Sequence, residues 1–181
     1  MAQKIEMISN AMILIGAAPI SSLDEGTEGL VGASLYENTY RGLLASHTWR
    51  FATKKAKLAR LTEAPLNEYS YQYQLPSDLI TVVKVKGYTD YEVYGDKIYS
   101  NYPELSIDYR YRVDETLLPD YFVMTLQFLL AAQFAIPITD NSQRAQTYNG
   151  IYESQFRRAK AIDSMARPSD AIVDSPLTDI C

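Results

Sequence analysis

The sequence predicts an α+β fold: mainly an α-helical bundle of four helices, with a small antiparallel β insertion between the second and third helices and an extended C-terminal arm. Three observations predict it. Apolar residues recur at spacings of three and four toward both ends of the chain, the period of a helix with one buried face. Between about 53 and 113 the period falls to two, as in half-buried strands. Beyond Arg167 no period remains. The 181 residues suit one domain with one core. That domain is expected over 1–166, with helices at about 2–16, 28–47, 119–136 and 141–165 and the β insertion at about 53–113. The arm takes 167–181.

Ile5, Ile8, Met12 and Ile15 form the stripe of the first helix. Gly16 supplies its stop, and Pro19 blocks resumption. After a turn-rich loop through Ser21, Ser22, Asp24 and Gly26, the second helix carries the stripe Ala33, Tyr36, Tyr40, Leu43 and His47.

The period-two zone follows. Lys55, Lys57 and Ala59 alternate with Ala56, Leu58 and Arg60, and Tyr69, Tyr71, Tyr73 and Leu75 share one parity. Ile80 to Val85 is a β-branched run. Gly95-Asp96 makes a tight turn before Lys97-Ile98-Tyr99. Leu105, Ile107, Tyr109, Tyr111 and Val113 alternate with polar neighbours. The pattern predicts an antiparallel meander with hairpin turns.

Pro119, expected near the first helical position, opens the third helix. Its interior from Phe122 to Phe134 is apolar almost all round, as in a buried helix, and Pro137 is expected to end it. Asp140, Asn141 and Ser142 supply caps for the last helix, whose stripe is Ala145, Tyr148, Tyr152, Phe156, Ala159 and Ile162. Its other face carries Arg144, Glu153, Arg157, Arg158 and Lys160. The segment after Arg167 has two prolines, three aspartates and isolated apolar residues. It reads either as a free end or as an arm that orders on a partner.

Composition narrows the function. No stretch reaches roughly 18 unbroken apolar residues. The longest, Tyr121 to Ile138, is interrupted by Thr125, Gln127, Gln133 and Pro137. The N-terminus lacks the apolar stretch of a secretory signal, so synthesis in the cytoplasm and no membrane partner are expected. Cys181 is the only cysteine, which excludes an intrachain disulfide. A net charge of −5 argues against a dedicated nucleic-acid binder, yet it suits a wall past which DNA slides without sticking. Fifteen tyrosines fit either sheet faces and helix flanks or protein interfaces.

Catalytic patterns are missing. There is no G-x-G-x-x-G, no phosphate loop, no H-E-x-x-H and no G-x-S-x-G. His47 is the sole histidine, which rules out most triads and zinc sites. It reads as a hydrogen-bonded histidine wedged beside Trp49. Scattered carboxylates and a single tryptophan give a glycosidase little to work with. Catalytic residues, cofactors and metals are therefore expected to be none. The strongest charge cluster is Arg50, Lys54, Lys55, Lys57 and Arg60. It could be a solvated strand face, a subunit interface or a DNA contact.

Several ordered motifs together resemble one family. Ile15-Gly16-Ala17-Ala18-Pro19-Ile20-Ser21-Ser22-Leu23 closes the first helix, and Leu43-Leu44-Ala45-Ser46-His47-Thr48-Trp49-Arg50-Phe51-Ala52 closes the second. Tyr71-Gln72-Tyr73-Gln74-Leu75-Pro76-Ser77-Asp78 and then Ile136-Pro137-Ile138-Thr139 follow in order. From about 5 to 165 the chain resembles the head-to-tail adaptor, or tail tubular protein A, family of short-tailed bacteriophages. The resemblance implies a virion structural protein that is not an enzyme. It implies a ring of twelve subunits between the portal protein and the tail nozzle protein, lining the channel for double-stranded DNA. It also implies that the C-terminal arm, with Pro168, Ile172, Val173, Pro176, Leu177 and Ile180, grips the portal. The motif residues have structural jobs as well. Gly16 and Pro19 make a helix stop and turn. His47, Trp49 and Phe51 sit where helix meets sheet. Leu75-Pro76 ends a strand, and Asp78 caps the turn after it. The alternatives are a head-completion or neck protein of a long-tailed phage, and a surface-polysaccharide hydrolase.

Overall fold

The computed structural model describes residues 2–165 apart from Glu25, Ala64, Asn67 and Tyr88, with the side chain of Ala2 also left aside. The chain is mixed α+β. Helices α1 (Ala2–Leu14) and α2 (Gly26–Ala45) come first. Six strands follow: β1 (Thr53–Lys57), β2 (Tyr71–Gln74), β3 (Leu79–Val85), β4 (Tyr91–Tyr94), β5 (Lys97–Ser100) and β6 (Ser106–Tyr111). A 3-10 turn at Glu115–Leu117 leads into α3 (Asp120–Thr139) and α4 (Ser142–Met165).

α1 ends as its glycine demands. Gly16 sits at φ 76°, its N–H donates to Ile13, and the Ala17 N–H donates to Met12. That pair of bonds is the Schellman pattern, which satisfies the last carbonyls. Arg144 and the Tyr148 hydroxyl, at the start of α4, donate to the carbonyls of Ile15 and Leu14. Arg144, expected on the face of the last helix away from its apolar stripe, is therefore half-buried against α1. α2 lies close to α1, because a β-carbon on Gly32 would come within 2.6 Å of the Ile8 side chain. Its buried face is Gly32, Tyr36, Thr39, Tyr40, Leu43 and Leu44. The helix stops at Ala45, so His47 lies beyond it and Ala33 is only half-buried.

α3 is the central helix and packs against α1, α2 and α4. Its length and hydropathy reach those of a membrane span, and helices on several sides explain such a composition in a core helix. Pro119 is its N-cap residue, one position before the expected place. Pro137 lies inside the helix instead of ending it. A proline in the last turn removes only one backbone hydrogen bond. The Thr139 hydroxyl bonds Ala135 O at 2.6 Å, and Asp140 closes the helix in the left-handed conformation at φ 48°. Asn141 then caps α4 through a 2.8 Å bond from the Arg144 N–H.

The β region is not one meander. β6 is the centre of one three-stranded sheet, between β1 and β3, and β5 is the centre of another, between β2 and β4. Only β4–β5 is a hairpin of the expected kind. Its loop is Gly95-Asp96, with a positive φ at Gly95, as a type II′ turn requires. Strand parity was legible in the sequence; partners were not, since alternation says which face is buried and nothing about which strand lies alongside.

Two cores result. The larger joins α1–α4 with Trp49, Ala52 and Val113. The smaller comprises Leu58, Tyr73, Leu75, Val85, Leu105, Tyr109 and their neighbours Ile98 and Ile107. Tyr111 packs against both.

Candidate interaction surfaces

The segment between α2 and β1 holds the molecule together. Trp49 is fully buried, and its indole Nε1 donates to Leu43 O at 2.9 Å. Its ring meets Phe51, Phe122 and Phe156 at centroid distances of 5.9, 5.2 and 5.9 Å. Three parts of the chain thus share one aromatic hub, a strongly stabilising arrangement. His47 stands edge-on to Trp49 at 4.9 Å. Burial holds its imidazole below the ordinary value, so the neutral form is favoured.

Asp163 is the residue that sequence reasoning missed. It is 2% exposed, while Ile162, assigned to the buried stripe, is 39% exposed. The Asp163 carboxylate accepts from the Tyr121 hydroxyl at 2.8 Å and from the Arg50 N–H at 3.2 Å. It therefore pins the end of α4 to α3 and to the Trp49 segment. Burial, and then this bond, push the Tyr121 hydroxyl well above its ordinary range. Ala159 and Asp163 are four apart, a legitimate helical step, but an aspartate on an apolar stripe gives no apolar signal.

A second polar cluster joins α2 to the linker before α3. Arg112 reaches Glu37 at 2.9 and 3.0 Å and Glu115 at 2.8 Å, and its guanidinium lies 4.9 Å from the Tyr40 ring centre. The Tyr40 hydroxyl donates to Val113 O at 2.8 Å. Hydrogen bonding to Arg112 holds Glu37 below the usual carboxylate range. Burial raises Glu115, but Arg112 outweighs it and its carboxyl is also lowered. Nearby, Glu6, Glu115 and Asp120 border one cavity of about 190 Å³. Among the described residues no group of three or more His, Cys, Asp or Glu is placed to hold a metal ion.

The basic cluster splits. Lys54 pairs with Asp78 at 3.0 Å and lies 3.7 Å from the Tyr111 ring centre. Lys57 pairs with Glu104 at 2.9 Å. Arg60 lies over the Tyr71 ring at 5.1 Å. Lys55 is exposed, and Arg50 is exposed apart from its backbone bond to Asp163. Lys54, Lys55 and Lys57 sit on β1, which among the described residues is an edge strand of its sheet. Asp78 was expected to cap a turn; its carboxylate instead pairs with Lys54 and accepts from the Tyr109 hydroxyl at 3.1 Å. The turn itself closes through the Leu79 N–H and Pro76 O at 3.1 Å. The arm residues Pro168, Ile172, Val173, Pro176, Leu177 and Ile180 lie outside the described residues.

Exposed apolar side chains occur on separate elements: Ile13 on α1, Leu30 on α2, Val93 and Tyr94 on β4, Met124 and Ile136 on α3, and Ile162 and Met165 on α4. A cleft of about 240 Å³ opens along α3 between Leu35, Thr39 and Gly42 of α2 and Tyr152 of α4. No protein-family model matches the chain, and no curated protein matches it.

Proposed function

We propose that the chain is a non-enzymatic virion protein, a head-to-tail adaptor subunit that forms a ring between the portal and the tail nozzle of a short-tailed phage. The observation that carries this reading is the distribution of exposed apolar residues over α1, α2, β4, α3 and α4. A ring subunit meets two like neighbours and two unlike partners, so it needs adhesive patches on several sides. An enzyme needs one concave site with convergent polar groups. Of the carboxylates bordering one cavity, Glu6, Glu115 and Asp120, Glu115 is already engaged by Arg112.

Further support comes from β1. Its lysines discourage strand-to-strand aggregation; Lys54 and Lys57 are paired within the chain, and the exposed Lys55 suits an acidic neighbour. The chain's net charge of −5, repeated around a ring, favours passage of DNA over binding. The proposed localisation is the neck of the virion, with no cofactor. The reading is tested by mixing the purified chain with portal protein. Ring-shaped assemblies on one end of the portal are expected. A chain that ignores portal at micromolar concentration refutes the adaptor role.

A further inference from the structure

The outer face of the β1–β6–β3 sheet carries a charge opposite to that of the chain. Strand register decides which residues share it. Lys55 and Lys84 both lie opposite Asp108 of β6, and Thr53 and Thr81 both lie opposite Arg110. Lys57 lies opposite Ser106, whose carbonyl accepts the Lys86 N–H at 2.9 Å. Residues directly opposite in an antiparallel pair lie on the same side of the sheet. The alternate positions Ala56, Val85, Ile107 and Tyr109 turn to the small core. A register shift between Val82 and Lys84 makes the pattern possible. The extra residue changes the parity of β3, so Lys84 and Lys86 join Thr81 on the outer side.

Three rows of three result. Arg110 stands between two threonines, Asp108 between two lysines, and Ser106 between Lys57 and Lys86. Five cations thus face two carboxylates, Asp108 within the face and Glu104 paired with Lys57. The excess is three positive charges, in a chain whose seventeen Lys and Arg are outnumbered by twenty-two Asp and Glu. Lys55, Lys57, Lys84 and Lys86 are exposed. Among the described residues Lys55 and Lys84 make no ion pair, and Lys86 reaches Asp108 only at 3.7 Å.

The chemistry of the face selects its partner. Lys55 alone suits an acidic neighbour, but none of the nine residues is apolar or aromatic. A protein contact needs an apolar centre and is depleted in lysine and serine. Lysine, arginine and hydroxyl side chains are the groups that meet phosphate oxygens. Single-stranded nucleic acid needs aromatic rings on which bases stack, and this face offers none. The lysines of β1 and β3 stand roughly 10 Å apart across β6, between the widths of the two DNA grooves at roughly 6 and 12 Å. They can therefore meet phosphates of both strands of a duplex.

We propose that this face binds the phosphate backbone of double-stranded DNA without reading its sequence. Lys55 and Lys84 make the main contacts from either side, Lys57 and Lys86 extend them, and Ser106 adds a hydroxyl between them. The remainder of the chain is acidic in sum and repels the duplex, which confines the contact to this face. The contact stands independently of the adaptor reading.

The test titrates the full chain into two unrelated fluorescent duplexes of about 20 base pairs and follows anisotropy. Both should bind equally, and for about three neutralised phosphates the affinity should fall roughly 40-fold between 50 and 200 mM salt. Lys55→Glu with Lys84→Glu should weaken binding and reduce that fall to about fourfold, because two contacts are gone. Arg157→Glu with Arg158→Glu, exposed on α4, gives the same net charge and should keep the salt dependence of the parent. Lys55→Gln with Lys84→Gln repeats the test if charge reversal disturbs the sheet. No binding at 50 mM salt with the chain at about 100 µM overturns the proposal. Equal losses in the β-sheet and α4 variants overturn it as well. So does equally tight binding of a single strand of the same length, or of polyglutamate, which would assign the face to an acidic protein. Portal binding is read separately, so either reading can fail without the other.

Discussion

The helical part and the β part of this chain solve stability differently. The helical core gathers α1, α2, α3 and α4 around a buried tryptophan, with aromatic rings drawn from three segments. Among the described residues, the β part buries a cluster of eight apolar side chains in two three-stranded sheets. Its surface is held by exposed ion pairs such as Lys57–Glu104. The contrast teaches that the β part is a small body attached to a larger one. The attachment runs through Tyr111, Arg110 and Arg112. Arg110 donates to the end of α2 at Ala45 O and Thr48 Oγ1, where a cation also complements the helix dipole.

The largest effect that tests this contrast should come from Trp49→Ala. Truncating a fully buried tryptophan costs about 3–5 kcal/mol. Thermal melting should show a severely destabilised chain with both helical and sheet signals lost together. Ile98→Ala, in the small core, should cost about 2–4 kcal/mol. Hydrogen exchange should then accelerate first in β2, β4 and β5, while α3 amides remain protected. If α3 exchange rises equally, the two cores are one cooperative unit.

Asp163→Ala comes next. It leaves the Arg50 N–H and the Tyr121 hydroxyl without their acceptor, at a cost of about 1–3 kcal/mol. Chemical denaturation should show the loss, and Asp163→Asn should recover part of it. Arg112→Gln should act through pH. Glu37 and Glu115 both have folded values below the ordinary 4.5. They bind fewer protons folded than unfolded, so their contribution is present above that value and lost as pH falls through the lowered ones. The melting temperature of the parent chain should drop steeply below about pH 4.5, and the variant should show a shallower drop. The smallest effect should come from Lys57→Ala. An exposed pair contributes about 0–1 kcal/mol, and added salt should erase the difference.

The same contrast explains what could be read in the sequence. α1, α2, α3 and α4 were legible because each buries a stripe against neighbours, and a stripe is local information. Gly16 marked its stop for the same reason. Pro137 misled because its cost depends on whether it falls in the middle or the last turn, and Asp140 behind it accepts a left-handed conformation. The strands were legible as strands, but β1 pairs with β6 more than forty residues later, and no local pattern carries that. Among the surface candidates, the lysines of β1 fell on an edge strand, whereas the buried Asp163 was invisible beside Ile162. The residues of the expected C-terminal arm lie beyond the described chain.

Imaging of the assembled particle tests the proposed role most directly. The chain should appear as a ring on the axis between portal and nozzle, with neighbouring copies meeting through exposed apolar residues of α1, α2 or β4. Density for this polypeptide away from that axis contradicts the proposal.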